Sequence, residues 1–255
     1  MVILYPQGWR QVVEWSDFAV ITLKDAHDIA DVVRDSIGFD GDPAESMWVS
    51  NKDYYPMVDP KEVLVGDSVT DVMYGCTKAV VFCDTLKDYV IKIPFLGTVD
   101  PVDGKRRYYE NAGKFKWNYC ALESQIYEKA CAAGLGDMFC GTMFSCYIDG
   151  YPIYVAEKSG LTLDETDFVC SSHDGSSWVR DKSLSVKTAS NSMMVCPLAG
   201  LDENTAGRFY DCYGEDRADA LIDFLFENRI NDCHDGNIAY VGDEIKLIDY
   251  SSFDG

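Results

Sequence analysis

The sequence predicts an α+β fold, and three features carry that assignment. Three strand-like runs follow one another across residues 72–94, separated only by turn residues. A helix-periodic segment and two more strand patterns come next, so helix and strand are segregated rather than regularly alternated. The sequence then closes on an amphipathic helix, a polar loop and a hairpin.

Residues 1–60 combine aromatic-rich extended segments with LKDAHDIADVVRDSIG, where Ala26, Ile29, Ala30, Val33 and Ile37 form one apolar face before Gly38 ends the helix. This region is expected to cap the next module. Strands are expected at Val72 to Tyr74, Ala79 to Cys83 and Tyr89 to Pro94, with turns at Gly75 to Thr77 and Thr85 to Lys87. The stretch TVDPVDGKRRYYENAGKFK reads as a solvated loop. Its Lys105, Arg106, Arg107, Lys114 and Lys116 make the one dense basic patch, a candidate dock for an anion or acidic partner.

WNYCALESQIYEKACAAGL places Leu122, Ile126, Tyr127 and Ala130 at helical spacing, with Gly134 as the stop. The strands MFCGTMFSCYID and YPIYVAEK join at Gly150. Residues 159–199 are rich in Ser and Asp and read as an insertion or long surface loop. In EDRADALIDFLFENRI, Ala218, Leu221, Ile222, Leu225 and Phe226 form an apolar stripe. The expected division is a cap over 1–60, a sheet-based unit over 61–158 and a smaller unit over 159–255.

At 255 residues and 47% hydrophobic, the chain can bury one large core or two small ones. Its 43 acidic and 22 basic residues give a net charge of −21, which argues against general nucleic-acid binding or attraction to anionic membranes. Such acidity serves solubility or a basic protein partner. Ten cysteines lie scattered without CxxC or zinc spacing, so they are expected as reduced thiols. No run of about 18 apolar residues occurs. A cytoplasmic location is expected.

The chemistry concentrates in INDCHDGNIAYVGDEIKLIDY, residues 230–250. Gly242-Asp243 is a hairpin turn between Ile238 to Val241 and Ile245 to Ile248. Asn237 ends the loop and Asp249 ends the returning strand, so an amide and a carboxylate can converge on a hard cation such as Mg²⁺, with phosphate and water completing its shell. Asp232 then points at a hydroxyl approaching the phosphate.

A helix followed by Asp232-Cys-His-Asp-Gly-Asn237 and a hairpin ending in Asp249 resembles the catalytic loop of the protein-kinase-like superfamily. The resemblance implies a bilobal fold, with a five-stranded antiparallel N-lobe sheet carrying one helix and a reduced C-lobe. It also implies ATP and Mg²⁺ as cofactors. Lys92, the lone charge in YVIKIPF, would hold the α- and β-phosphates, with Val90 two residues earlier lining the adenine pocket.

Glu123 and Glu128 compete to pair with Lys92. Glu123 is preferred because Tyr127 follows on its face. By the same resemblance YPIYVAEKSG is the hinge, with Ala156 at the back of the pocket and the backbones of Glu157 and Ser159 meeting the adenine edge. His234 matches the histidine of the aminoglycoside and choline kinase-like branch, where it would stabilise charge on the transferring phosphoryl group.

The pattern departs from the family at several points. MYGCTKAVV offers only Gly75 for a glycine-rich loop, Asn231 replaces the arginine of regulated kinases, and Tyr250-Ser251 stands in place of Phe-Gly. Together with the reduced C-lobe, these features look like short kinases of phage and bacterial type. The expected function is an atypical serine/threonine protein kinase, with a protein as acceptor. The alternatives are an aminoglycoside-like small-molecule kinase and a non-catalytic acidic interaction module.

Overall fold

The structure, a computed structural model, describes residues 3–4, 10–11, 31–40, 60–75, 77–100, 102–108, 118–148, 151–165, 203–230, 233 and 235–250. It is an α+β protein built around a five-stranded antiparallel sheet. The chain divides into two compact units, residues 1–125 with 141–158 and residues 126–140 with 159–255.

In the first unit, Ile3–Leu4 (β1) pairs with Arg10–Gln11 (β2), and a helix covers residues 31–37 (α1). Gly38 ends α1 with φ +43°, its amide donating to the Arg34 carbonyl at 2.9 Å. A left-handed terminal residue is cheap only for glycine, which is why this stop could be anticipated. The short helix Pro60–Val63 (α2) leads into the sheet.

The sheet contains Val69–Tyr74 (β3), Lys78–Cys83 (β4) and Tyr89–Pro94 (β5). Thr142–Ile148 (β8) and Tyr151–Glu157 (β9) complete it, in the spatial order β3-β4-β5-β9-β8. The first strand starts three residues earlier than the alternation indicated, because Val69 and Asp71 extend the ladder across an irregularity in register at Thr70. Gly97–Val99 (β6) and Arg106–Tyr108 (β7) form a hairpin, so the expected loop is partly ordered into strands. The backbone of Asp100 and Lys105 closes it, Asp100 N–H donating to the Lys105 carbonyl at 3.0 Å.

Register separates the sheet's two faces. Val81, Ile91, Val155 and Met143 form one row across four strands, flanked by the Ala79 and Ile93 pair, and all are buried. Residues 36–39 adjoin this side: Phe39 stacks on Tyr151 at 5.7 Å, and the Ser36 and Thr85 hydroxyls meet at 2.6 Å. On the opposite face Val80, Lys92, Tyr154 and Phe144 form a parallel row beside Val90, Ala156 and Thr142.

The helix Tyr119–Ala132 (α3) starts at Asn118, whose Oδ1 accepts the Ala121 amide at 3.0 Å while Nδ2 donates to the Tyr154 hydroxyl at 3.3 Å. The start of α3 is thereby fixed to β9. Gly134, with φ +77°, follows the helix end as expected.

The second unit contains Glu203–Tyr213 (α4), Glu215–Glu227 (α5), Ile238–Val241 (β10) and Glu244–Leu247 (β11). Helix α4 went unrecognised in the sequence: Gly207 interrupts it and polar residues dominate, yet its buried Phe209 and Tyr210 supply an apolar face. Ala218, Leu221, Ile222 and Leu225 of α5 are buried as its stripe indicated, whereas Phe226 is 51% exposed. Strand β11 lies one residue earlier than expected, Val241 pairing with Glu244 across Gly242 at φ +64°. Of the expected insertion, Leu163–Glu165 form a short 3₁₀ turn, and residues 166–199 lie outside the described residues. No helix among the described residues is long and apolar enough to cross a membrane.

One glycine is required by close packing. A Cβ on Gly66 would lie 1.5 Å from the Ser36 carbonyl oxygen, because Gly66 N–H donates to the Ile37 carbonyl at 3.1 Å and draws the two backbones together. Gly66→Ala is expected to cost about 3 kcal/mol or more, beyond the range of ordinary overpacking, since a main-chain oxygen must move. Gly75→Ala, whose added Cβ lies 3.4 Å from its nearest neighbour, is expected to be nearly neutral. Urea denaturation midpoints check both, and equal midpoints would refute the close approach.

Candidate functional site

The first unit buries a carboxylate between two lysines. Glu123 on α3 is fully buried, and Lys92 on β5 donates from Nζ to its Oε2 at 2.6 Å. Lys78 at the start of β4 donates to Oε1. The Thr142 hydroxyl on β8 donates to Oε2 at 3.1 Å and accepts from Lys92 at 3.3 Å. Lys78 and Lys92 are 4% and 7% exposed, so these charges meet with little water between them.

Register explains the convergence. Lys78 pairs with Pro94 and Val80 with Lys92, so the two lysines are diagonal neighbours on one sheet face. Thr142 pairs with Ala156, which pairs with Val90, on that same face. Val90 and Ala156 are buried cross-strand partners beside Lys92, so these three sequence candidates sit together.

Glu128, the competing carboxylate on α3, has no comparable partner. Its Oε1 is buried without a hydrogen bond among the described residues, and burial pushes its carboxyl up to about 7. The sequence preference for Glu123 therefore coincides with the residue that meets Lys92. Tyr127, the reason for that preference, is 1% exposed.

Gly75 is exposed, and its amide donates to the Lys78 carbonyl at 2.9 Å, closing the turn between β3 and β4. That amide is thus committed to the turn. At the end of β9 the Glu157 amide donates to the Gly141 carbonyl at 2.9 Å, and the Lys158 amide donates to Asp88 at the same distance. The Gly160 amide is also engaged, with the Tyr240 carbonyl at 2.7 Å. Glu157 ends β9 in the first unit, and the half-buried Ser159 begins the stretch that belongs to the second.

The second unit holds the candidate metal ligands. Asn237 ends the 3₁₀ turn Asp235–Asn237 and is 9% exposed. Its carbonyl accepts the Ile248 amide at 2.9 Å, continuing the ladder from the Ile238 and Leu247 pair, so Asn237 and Asp249 belong to the same end of the hairpin. Asp249 has φ +48°, a region that non-glycine residues seldom occupy.

Its successor is firmly held. Tyr250 is fully buried, packs edge-on against Phe139 at 5.0 Å and donates to the Cys140 carbonyl at 2.9 Å. The left-handed backbone at Asp249 is thus imposed from both sides, which is how strained conformations persist. An amide oxygen and a carboxylate are hard donors, and they suit Mg²⁺ when phosphate and water complete the shell. Among the described residues no cluster of three or more His, Cys, Asp or Glu gathers as a metal site.

Asp232 and His234 lie outside the described residues. Lys78, Thr142 and Lys246, the last 2% exposed on β11, were not singled out in the sequence. Lys78 carried a weak signal: like Lys92, it is the lone charge in an otherwise apolar strand pattern. The sequence matches no protein-family model and has no significant match among curated proteins.

Glu128 gives a pH-dependent expectation. Its folded-state carboxyl value of about 7 lies above the ordinary 4.5, so the folded protein holds that proton more tightly than the unfolded chain. The associated stability is complete below about 4.5 and is lost as pH rises through about 7. Glu128→Gln should therefore be more stable than the parent at pH 8, by about 1–2 kcal/mol after allowance for solvent screening. The difference should shrink toward pH 4. Denaturation across that range tests this, and a difference that does not vary with pH would contradict it.

Proposed function

We propose that the protein is an ATP-dependent phosphotransferase, with a serine or threonine hydroxyl of a protein as its acceptor. The observation that supports this most is the buried Lys92–Glu123 pair on the sheet face that also carries Val90 and Ala156. Glu123 fixes the Lys92 ammonium, so that the lysine meets phosphate oxygens without first losing rotamer freedom. Val90 and Ala156 offer apolar surface to the adenine ring.

Asn237 and Asp249 would hold Mg²⁺, which neutralises charge on the phosphates during transfer. Asp232 would orient the acceptor hydroxyl and take its proton as the new oxygen–phosphorus bond forms and ADP leaves with the electrons of the broken bond. His234 would stabilise charge on the phosphoryl group in flight. The −21 charge suits a basic acceptor protein, and by the same attraction a cationic small molecule.

Thermal unfolding with ATP and Mg²⁺ tests the nucleotide part. Ligand at about a hundred times its dissociation constant should stabilise by about 2.7 kcal/mol. No shift at millimolar nucleotide would refute the proposal. Transfer of label from γ-labelled ATP to proteins of a cell lysate tests the acceptor, and Asp249→Ala should abolish it. Label entering only low-molecular-mass material would replace the protein acceptor with a small molecule.

A further inference from the structure

Glu123 binds more cationic partners than a simple lysine–glutamate pair requires. Removing one partner of a buried ion pair normally costs several kcal/mol, because the remaining charge is stranded in a dry environment. A lysine held by a single buried carboxylate is therefore poorly placed to turn toward a second anion. Here Lys78 holds Oε1, while Oε2 receives both Lys92 and the Thr142 hydroxyl. Either lysine can shift toward another anion while Glu123 keeps a cationic partner.

The turn before β4 indicates which anion this arrangement suits. In a glycine-rich phosphate loop, unengaged backbone amides supply the grip. The Gly75 amide is instead spent on the Lys78 carbonyl, and the Phe95 amide binds the Thr77 carbonyl at 2.8 Å. These bonds fix the backbone around Lys78, whose side chain enters the cluster from the first residue of β4. An ammonium is thus supplied at the turn whose amide is already engaged.

We infer that Lys78 is a second phosphate-binding residue, acting with Lys92 on the polyphosphate of a nucleoside triphosphate in place of backbone amides from a glycine-rich turn. Glu123 sets the spacing of the two ammonium groups and, because each has three N–H donors, can stay bonded to them and to Thr142 while they engage phosphate. This inference rests on the phosphotransferase reading and assigns to Lys78 a role that the sequence pattern did not indicate.

Calorimetric titration of the parent protein, Lys78→Met and Lys92→Met with ATP, adenosine and inorganic tripolyphosphate tests it. Lys78→Met should weaken ATP and tripolyphosphate about tenfold or more while leaving adenosine affinity unchanged. Lys92→Met should behave similarly. If the parent binds ATP and Lys78→Met binds ATP and tripolyphosphate as the parent does, Lys78 has no phosphate role. If the parent binds none of the three, the phosphotransferase reading itself fails.

Glu123→Gln provides a second test. It leaves two ammonium groups without their carboxylate, so millimolar tripolyphosphate should raise its unfolding temperature more than it raises the parent's. A smaller shift, or failure to recover the folded variant even with tripolyphosphate, counts against the inference.

Discussion

The first unit is organised by one constraint: a fully buried carboxylate, Glu123, must be neutralised by groups brought from other elements. A lone carboxylate in that position would be too costly to keep ionised. Its partners come from the start of β4, the middle of β5 and the start of β8, so four elements are coupled through two oxygen atoms. A slip of one residue in any of these strands would send the lysine or threonine to the opposite face. There it would enter the row of Val81, Ile91, Val155 and Met143, where no polar partner is provided. The cluster and the apolar row therefore specify the same register from opposite sides.

A different form of constraint governs the second unit. Asp249 occupies a disfavoured backbone region, and the main chain on either side is held by independent contacts. Ile248 is bonded to Asn237, and Tyr250 is packed on Phe139 and bonded to Cys140. Phe139 also meets Phe224 of α5 edge-on at 5.7 Å. The aromatic core thus supports a polar residue rather than simply excluding water. Where the family resemblance would place Phe-Gly, Tyr250 contributes both an apolar body and a hydroxyl that a buried carbonyl can accept from.

What could be read in the sequence follows from how local each signal is. The five-stranded sheet, α3, α5 and the final hairpin announce themselves through periodicity and turn residues, which act over short stretches of chain. The preference for Glu123 rested on Tyr127 one turn later, again a local relation. The roles of Lys78 and Thr142 are not legible locally because they come from strand register, which brings together residues far apart in sequence. Helix α4 is not legible in the sequence because Gly207 and its polar neighbours obscure a periodicity that tertiary packing rescues. The β6–β7 hairpin was hidden by the basic and glycine-containing stretch within it. The positive φ of Asp249 is imposed by the anchoring of Tyr250, which sequence spacing alone does not reveal.

The proposed chemistry depends on whether the lysines at Glu123 face nucleotide phosphates. An acyl-phosphate derivative of ATP, which acylates amines beside its bound phosphates, tests this in the unmodified protein when labelled peptides are mapped by mass spectrometry. The expected result is labelling of Lys92 or Lys78 that excess ATP suppresses. Labelling confined to exposed residues such as Lys87 and Lys105, or undiminished by ATP, would contradict a phosphate-binding role for the cluster.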